Sequence, residues 1–278
     1  MLVDFLYTHP TWEVGLLVIS VWTGLSLAGL YLFHRFVDVH MRHKDTETVG
    51  LTYAIVAVVY AVLIAFIVVD VFETYAKGDE IATAEANKLS NLMLDSAGLP
   101  GPMGEAVRAD LDKYIDTVVK VEWPSQQAGK LSDKVFEEGW TELGHLSTRL
   151  AVFEPATSGQ NVNKGEMLRS VNDLIKARRS RILAAGEHLP DVVWQILLLA
   201  GAVAVTYTYL FGAHSFRIHM AITGLIATTI ALVFVLIIAL DYPFRGEVSV
   251  GDEAFVSVRA TASGALEPVA AVKAEVHH

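Results

Sequence analysis

Two acidic residues at the end of a long apolar stretch are the first candidates for chemistry in this sequence. The segment LIAFIVVDVFETYAKGDE covers residues 63–80, and residues 51–69 before Asp70 are apolar or weakly polar. On a helix, Asp70 and Glu73 share one face because they lie three residues apart. A carboxylate inside a membrane marks an ion path, whereas one at the boundary marks the end of a span.

The two acids extend an apolar stripe on the same predicted helix. Steps of three and four residues align Leu63, Phe66, Asp70 and Glu73, and the stripe begins earlier, at Val56. In a ring of subunits this stripe predicts an apolar neck that opens into an acidic mouth. Apolar constrictions gate by dewetting and rings of carboxylates favour cations. These residues are therefore the candidate pore or ion path.

A simpler interpretation is that Asp70 lies where the helix leaves the lipid. Asp70 follows the start of the apolar run by about 20 residues, which is the length that crosses a bilayer. A carboxylate at the interface costs less than the ~2.5–3.5 kcal/mol assigned to the bilayer centre. This depth favours an end marker, and the ion path is the alternative.

Other charges flank the apolar runs. Asp241 closes the last run and is either a second end marker or part of an interfacial charge cluster with Asp70 and Glu73. In such a cluster, Arg245 would neutralise a partly desolvated carboxylate. Arg178, Arg179 and Arg181 form a basic juxtamembrane group before the third run. They either contact anionic headgroups or line an anion vestibule, or they pair with acidic residues of neighbouring helices, which the acidic composition favours.

Histidines on the short-loop side are the remaining candidates for a metal site or a pH sensor. Their spacing fits no helical metal motif, so solvated or interfacial histidines are the favoured interpretation, and we expect no metal and no cofactor. The residues concerned are His34, His40, His43, His214 and His219.

Composition excludes several classes of protein. Of the 278 residues, 53% are hydrophobic, and the mean hydropathy is +0.43. Cysteine is absent, which excludes disulfides and thiolate chemistry. The net charge of −10 argues against a nucleic-acid partner. The segment MLVDFLYTHP lacks a basic region and predicts no cleavable signal peptide. The sequence contains no GxSxG, HExxH, GxxxxGK[ST] or GxGxxG motif, so we expect no enzyme.

Four apolar runs organise the chain. The fold class that they predict is an all-α membrane protein with four transmembrane helices and a helical soluble insert between spans two and three. The predicted spans are about 12–33, 51–72, 191–211 and 218–240. The predicted regions are a transmembrane hairpin at 1–72, the insert at 73–189, a second hairpin at 190–241 and a C-terminal tail at 242–278.

The insert shows helical periodicity. Pro, Gly and Asn in LPGPMG, EWPSQQAG (122–129) and FEPATSGQNVN separate the helices. Gly78 is only a weak breaker, so we expect one long helix, about 51–97. Strand-like alternation occurs only at 247–258, and the last twenty residues predict a frayed tail. The predicted insert helices cover 81–97, 105–121, 131–150 and 164–188.

The charges of the short loops bear on topology. The loop at 34–50 contains Arg35, Arg42 and Lys44, whereas the N-terminal tail has no Lys or Arg. The positive-inside rule therefore favours an extracytoplasmic insert. The basic segment LIKARRSRIL (174–183) before span three argues in the other direction. We expect an integral protein of the bacterial inner membrane.

Several segments together resemble a known family. They are VYAVLIAFIVVDVFETY with EANKL (59–89), VKVEWP (119–124), KARRSRI (176–182), LPDVVW (189–194) and RIHMAITGLIATTIALVFVLIIALDYPFRGEVSV (217–250). In this order they resemble the bestrophin-like family of unknown function, a group of mostly bacterial four-span proteins. The resemblance covers about residues 50–255.

This resemblance has implications for function. Bestrophins are pentameric anion channels whose second span lines the pore with an apolar neck, and their soluble helices are cytoplasmic. The likeness thus implies a pore lined by span two, but it opposes the topology that the loop charges favour. The acidic stripe conflicts with simple anion selectivity, and the sequence lacks an obvious bestrophin calcium clasp.

Two classes of function follow. The first is a homo-oligomeric membrane channel that passes ions or small solutes through a pore lined by span two. The second is a membrane-anchored sensor or scaffold without a pore, whose insert binds a protein partner or ligand. Small residues in span one, Gly24, Ser26 and Gly29 among them, allow close helix packing in the bilayer.

Overall fold

The computed structural model of the chain describes residues 2–37, 46–212 and 215–262. Every regular element in these ranges is helical, so the predicted all-α class is confirmed. A 3₁₀ turn at Ser96–Gly98 follows α3, and a π-helical segment at Val118–Glu122 joins α4 to α5. The helices are α1 (Leu2–Thr8), α2 (Thr11–Phe36), α3 (Thr46–Asp95), α4 (Gly101–Thr117), α5 (Trp123–Gln127), α6 (Asp133–Val152), α7 (Ser158–Ala184), α8 (Asp191–Tyr209), α9 (Phe216–Leu240) and α10 (Glu253–Ala262).

Four of these helices, α2, α3, α8 and α9, are long and apolar enough to cross a membrane. They overlap the four predicted spans, which confirms the number of candidate membrane helices; α8 ends at Tyr209, two residues before the predicted end of the third span. The predicted long helix is also confirmed, because α3 is continuous from Thr46 to Asp95. Gly78 does not interrupt it. A Cβ atom at Gly78 would lie 2.9 Å from Cβ of Pro243, so close packing explains the glycine.

The described residues divide into two compact units. We call them the membrane unit and the insert unit. The membrane unit consists of the described residues up to Tyr75 together with 188–242 and 246–248. The insert unit consists of 76–187, 243–245 and 249–262.

The membrane unit is held together by apolar packing among α2, α3, α8 and α9. Leu30, Leu197 and Ala227 are fully buried in its core. The hydroxyl of Tyr209 donates to the carbonyl oxygen of Ser26 at 2.7 Å. A Cβ atom at Gly29 would lie only 2.7 Å from the Tyr209 hydroxyl oxygen, so this glycine permits the approach of α8 to α2.

The insert unit is built on the apolar stripes of α4, α6 and α7, which bury Leu111, Leu143 and Val171. The predicted break within 122–129 is confirmed, because α5 ends at Gln127 and Gly129 adopts a positive φ of 68° in the turn that follows. The break comes at the end of the segment, since Pro124 occupies the first turn of α5, where no backbone donor is lost. One expectation for this unit is wrong. The strand-like alternation at 247–258 ends in helix α10, which buries Phe255. Most of the predicted frayed tail lies outside the described residues.

Candidate functional site

Within the membrane unit, α3 has a packed face and an uncovered face. Tyr60, Ile67 and Val71 are buried in the core of the unit. On the other face, Val59 is 66% exposed and Phe66 is 72% exposed. A single copy of the chain therefore leaves one side of this apolar helix without a protein neighbour among the described residues.

The predicted ion-path residues lie on this uncovered face or at its edge. Leu63 is half-buried, and Phe66, Asp70 and Glu73 are exposed. Among the ion pairs and hydrogen bonds of the described residues, none involves the side chain of Asp70 or Glu73. The stripe thus carries two carboxylates available to water, to ions or to a neighbouring copy. We name the residues Leu63, Phe66, Asp70 and Glu73 the α3 stripe.

Asp241 follows the end of α9 and is buried in the membrane unit. Its Oδ1 atom accepts a hydrogen bond from the backbone N–H of Leu189 at 2.7 Å, and its Oδ2 atom accepts one from the indole N–H of Trp194 at 3.1 Å. Arg245 belongs to the insert unit, where its guanidinium lies against Gly129. The predicted cluster of Asp241 with Arg245 stays a prediction.

The second candidate site is a group of buried charges in the insert unit. Glu122 lies at the end of the π-helical segment and accepts hydrogen bonds from two arginines of α7. Arg178 reaches its Oε1 atom through Nη2 at 2.6 Å and its Oε2 atom through Nη1 at 2.9 Å. Arg181 reaches Oε2 through Nη2 at 2.8 Å. None of these three side chains is exposed.

The same group extends to α3 and α4. Arg181 donates from Nε to Glu85 Oε2 at 2.7 Å, and Tyr114 donates its hydroxyl proton to Glu85 Oε1 at 2.6 Å. Arg178 donates to the Tyr114 hydroxyl oxygen at 3.2 Å, which closes the loop. We name Glu85, Tyr114, Glu122, Arg178 and Arg181 the ion cluster.

The ion cluster is neutral in sum, with two carboxylates and two guanidinium groups. Burial lowers the pKa of Arg181, but the carboxylates of Glu85 and Glu122 raise that pKa above its ordinary value overall. Burial and the neighbouring Glu85 raise the pKa of Tyr114 well above its ordinary value. Through these ion pairs and hydrogen bonds, the cluster clamps α3, α4 and α7 together.

The basic juxtamembrane group is thereby divided. Arg178 and Arg181 are buried in ion pairs with acidic residues of neighbouring helices, and only Arg179 is exposed. Sequence reasoning did not identify their partners, but one signal was available. Both arginines continue the three- and four-residue spacing of the buried residues Val171 and Leu174. A charged residue in register with an apolar stripe points to a buried partner.

Two of the five candidate histidines lie within the described residues, and both have structural partners. Nε2 of His219 lies 2.8 Å from the carbonyl oxygen of Thr208, and the ring of His34 packs on Phe216 at 4.5 Å. His40, His43 and His214 lie outside the described residues. Within the described ranges, no group of three His, Cys, Asp or Glu residues is placed to hold a metal ion.

Comparison with models of known protein families identifies one family. Residues 20–255 match the model of the Bestrophin-like domain. No curated protein matches the chain.

Two solved structures share the fold. A mutant of a bacterial bestrophin homologue from Klebsiella pneumoniae aligns with a TM-score of 0.65 at 12% identity, covering 88% of this chain and 99% of its own. The crystal structure of a mutant membrane protein aligns with a TM-score of 0.63 at 11% identity, covering 89% and 98%. At these identities the likeness concerns the fold.

Proposed function

Because this chain belongs to the bestrophin-like family, we propose that it forms a homo-oligomeric membrane channel for ions or small solutes, with a pore lined by α3. The uncovered α3 stripe carries this proposal. A helix that crosses lipid is stable with an apolar outer face, whereas carboxylates near the end of that face need water or a partner. Several copies arranged around a common axis would provide both.

The α3 stripe also bears on selectivity. Leu63 and Phe66 would form an apolar constriction, and Asp70 and Glu73 an acidic ring next to it. Acidic rings favour cations, while the family likeness favours anions. The charge of the permeant ion therefore distinguishes the two influences: cation selectivity would follow from the α3 stripe, and anion selectivity from the family fold.

Ionic current in planar bilayers tests the proposal. Purified chain under a KCl gradient should conduct, and Asp70→Asn should shift the reversal potential, because one carboxylate per subunit leaves the path. Glu138→Gln removes an exposed carboxylate of α6 and should leave the reversal potential unchanged. Silence from folded oligomers across pH and calcium, or an unchanged potential in Asp70→Asn, would contradict the proposal.

The sensor or scaffold is supported by one observation. The insert unit exposes single large apolar side chains, with Leu94 67%, Val152 74% and Leu183 64% exposed. A partner that covers them would need no pore. This function predicts no conductance, and it predicts that polar substitutions on the α3 stripe leave partner binding unchanged.

The side of the membrane on which the insert lies is a separate proposal. The loop charges favour an extracytoplasmic insert, whereas the bestrophin likeness favours a cytoplasmic one. Since the chain has no cysteine, single cysteines at Ser180 in the insert unit and at Thr48 near the start of α3 report the topology. In intact bacterial cells a membrane-impermeant maleimide should label Ser180→Cys under the first alternative and Thr48→Cys under the second.

A further inference from the structure

A cavity of about 490 Å³ lies within the membrane unit, between α1, α2, α8 and α9. Its volume falls in the range of small-molecule sites, roughly 300–1,000 Å³. None of the α3 stripe residues lines it. Most of its wall is apolar and comes from the membrane-spanning helices; representative residues are Leu17, Val21, Trp22, Leu198 and Phe234.

One end of the cavity is acidic. Asp191 at the start of α8 and Asp241 after α9 both line it, and no lysine or arginine is among its described lining residues. Asp241 is 5% exposed and is held in place by Leu189 and Trp194. A carboxylate has about four lone-pair sites, and these two hydrogen bonds leave the others for a ligand.

Aromatic groups surround the acidic end. Trp194 lines the cavity, and so does the stacked pair of His188 and Tyr242, whose ring centroids are 5.0 Å apart. Aromatic faces attract ammonium groups, and tryptophan and tyrosine are typical of the membrane–water boundary. Along α8, from Asp191 to Leu198, the lining changes from acidic to apolar over roughly 10 Å.

We propose that this cavity binds a single-chain amphiphile whose headgroup carries an amine. The alkyl chain would lie against Leu17, Val21 and Leu198, and the ammonium group would lie at Asp191 and Asp241. An alkyl amine is protonated at neutral pH, as the lysine side chain is, with a pKa of about 10.4. The acidic end selects this charge, and the apolar wall selects the chain.

Three probes with the same chain and different headgroups test the proposal: dodecylamine, dodecanol and dodecanoate. Equilibrium binding of each is measured to the full chain in excess non-ionic detergent. Dodecylamine should bind about tenfold more tightly than dodecanol, a difference that corresponds to one favourable charge contact, and dodecanoate should bind most weakly. Asp191→Asn, at an exposed position, should reduce the preference for the amine. Equal binding of the three probes would overturn the proposal.

A matched pair of variants tests the location. The larger side chain of Leu198→Trp would fill part of the cavity along its apolar wall, so this variant should abolish binding of dodecylamine. Leu199 is 68% exposed and does not line the cavity, so Leu199→Trp should bind as the unchanged chain does. Equal loss in both variants, or in neither, would overturn the site. A smaller oligomer in Leu198→Trp alone, with amine binding intact, would show that a second copy covers the cavity and would also overturn the proposal.

Discussion

The single helix α3 carries acidic residues in two opposite settings. In the membrane unit, Asp70 and Glu73 are exposed and have no ion pair among the described residues. In the insert unit, Glu85 is fully buried and holds Arg181 at 2.7 Å and Tyr114 at 2.6 Å. All three residues are acidic and lie on the same helix. The carboxylate of Glu85 stabilises the insert unit, whereas those of Asp70 and Glu73 are available to water, ions or another chain.

The difference shows what decides the role of a carboxylate. Burying a charge costs several kcal/mol unless a partner and hydrogen bonds compensate, and the ion cluster supplies both to Glu85. The α3 stripe supplies neither, so its acids are compatible only with water, ions or another chain. This contrast, rather than the acids themselves, supports the proposed passage along the stripe.

Matched neutral substitutions should separate the two settings most strongly. Glu85→Gln removes a charge from the ion cluster and leaves Arg181 undercompensated, which should lower the free energy of unfolding by about 3–5 kcal/mol. Asp70→Asn should change it by no more than about 0.5 kcal/mol, as for other surface substitutions. Thermal unfolding of both variants in detergent measures the difference. Equal destabilisation would mean that Asp70 also has a structural partner.

Glycine substitutions in α6 sharpen the contrast from the side of the ion cluster. A Cβ atom at Gly139 would lie 2.6 Å from both Arg178 Nη2 and Glu122 Oε1. A Cβ atom at Gly144 would have no other atom within 4 Å. Gly139→Ala should therefore destabilise the chain by about 1–3 kcal/mol through overpacking. Gly144→Ala should stabilise it by up to about 1 kcal/mol, because alanine favours the helix. Stabilisation by both would refute the tight cluster packing.

A smaller, pH-dependent effect is expected at Glu142, a buried carboxylate outside the ion cluster. Burial raises its pKa above the ordinary value of 4.5, although Thr117 and Lys113 lower it in part. The folded state therefore binds this proton more tightly than the unfolded state does. Its contribution to stability is fully present below the unfolded pKa and is lost as the pH rises through the folded pKa.

The variant Glu142→Gln tests this sign. Compared with the unchanged chain, Glu142→Gln should have the larger gain in stability at pH 7 and the smaller one at pH 4. The reason is that burial destabilises only the ionised carboxylate. Glu137→Gln, at an exposed position of the same helix that does not contribute to the pKa shift of Glu142, should show no such difference. Urea unfolding of the three chains at both pH values supplies the comparison. A difference of opposite sign would mean that the pair with Lys113 outweighs burial.

Much of the fold was predictable from the sequence because membrane spans are local patterns. Continuous apolar runs located α2, α8 and α9, and the lack of a strong breaker predicted the length of α3. Because of Pro124, the end of the helix was predicted too early. A proline breaks a helix interior but is tolerated in a first turn. Helix α1 was missed because seven residues are too few for a clear periodicity.

The ion cluster was not predictable in the same way. Glu85 and Arg181 are 96 residues apart in sequence, and Tyr114 lies between them. Only the packing of three helices brings them together. The register of Arg178 and Arg181 with an apolar stripe indicated burial, but nothing local identified their partners. The α3 stripe, by contrast, was defined by its spacing alone, and its role as a pore lining stays a prediction.

Cysteine modification along α3 during current recording tests the central claim most directly. The chain has no cysteine, so Phe66→Cys on the stripe and Phe72→Cys, about 120° away around the helix, are matched exposed positions. We predict that a charged methanethiosulfonate reagent changes the current through Phe66→Cys channels and leaves Phe72→Cys channels unchanged. Modification of the current at Phe72 but not at Phe66 would contradict a pore lined by the α3 stripe.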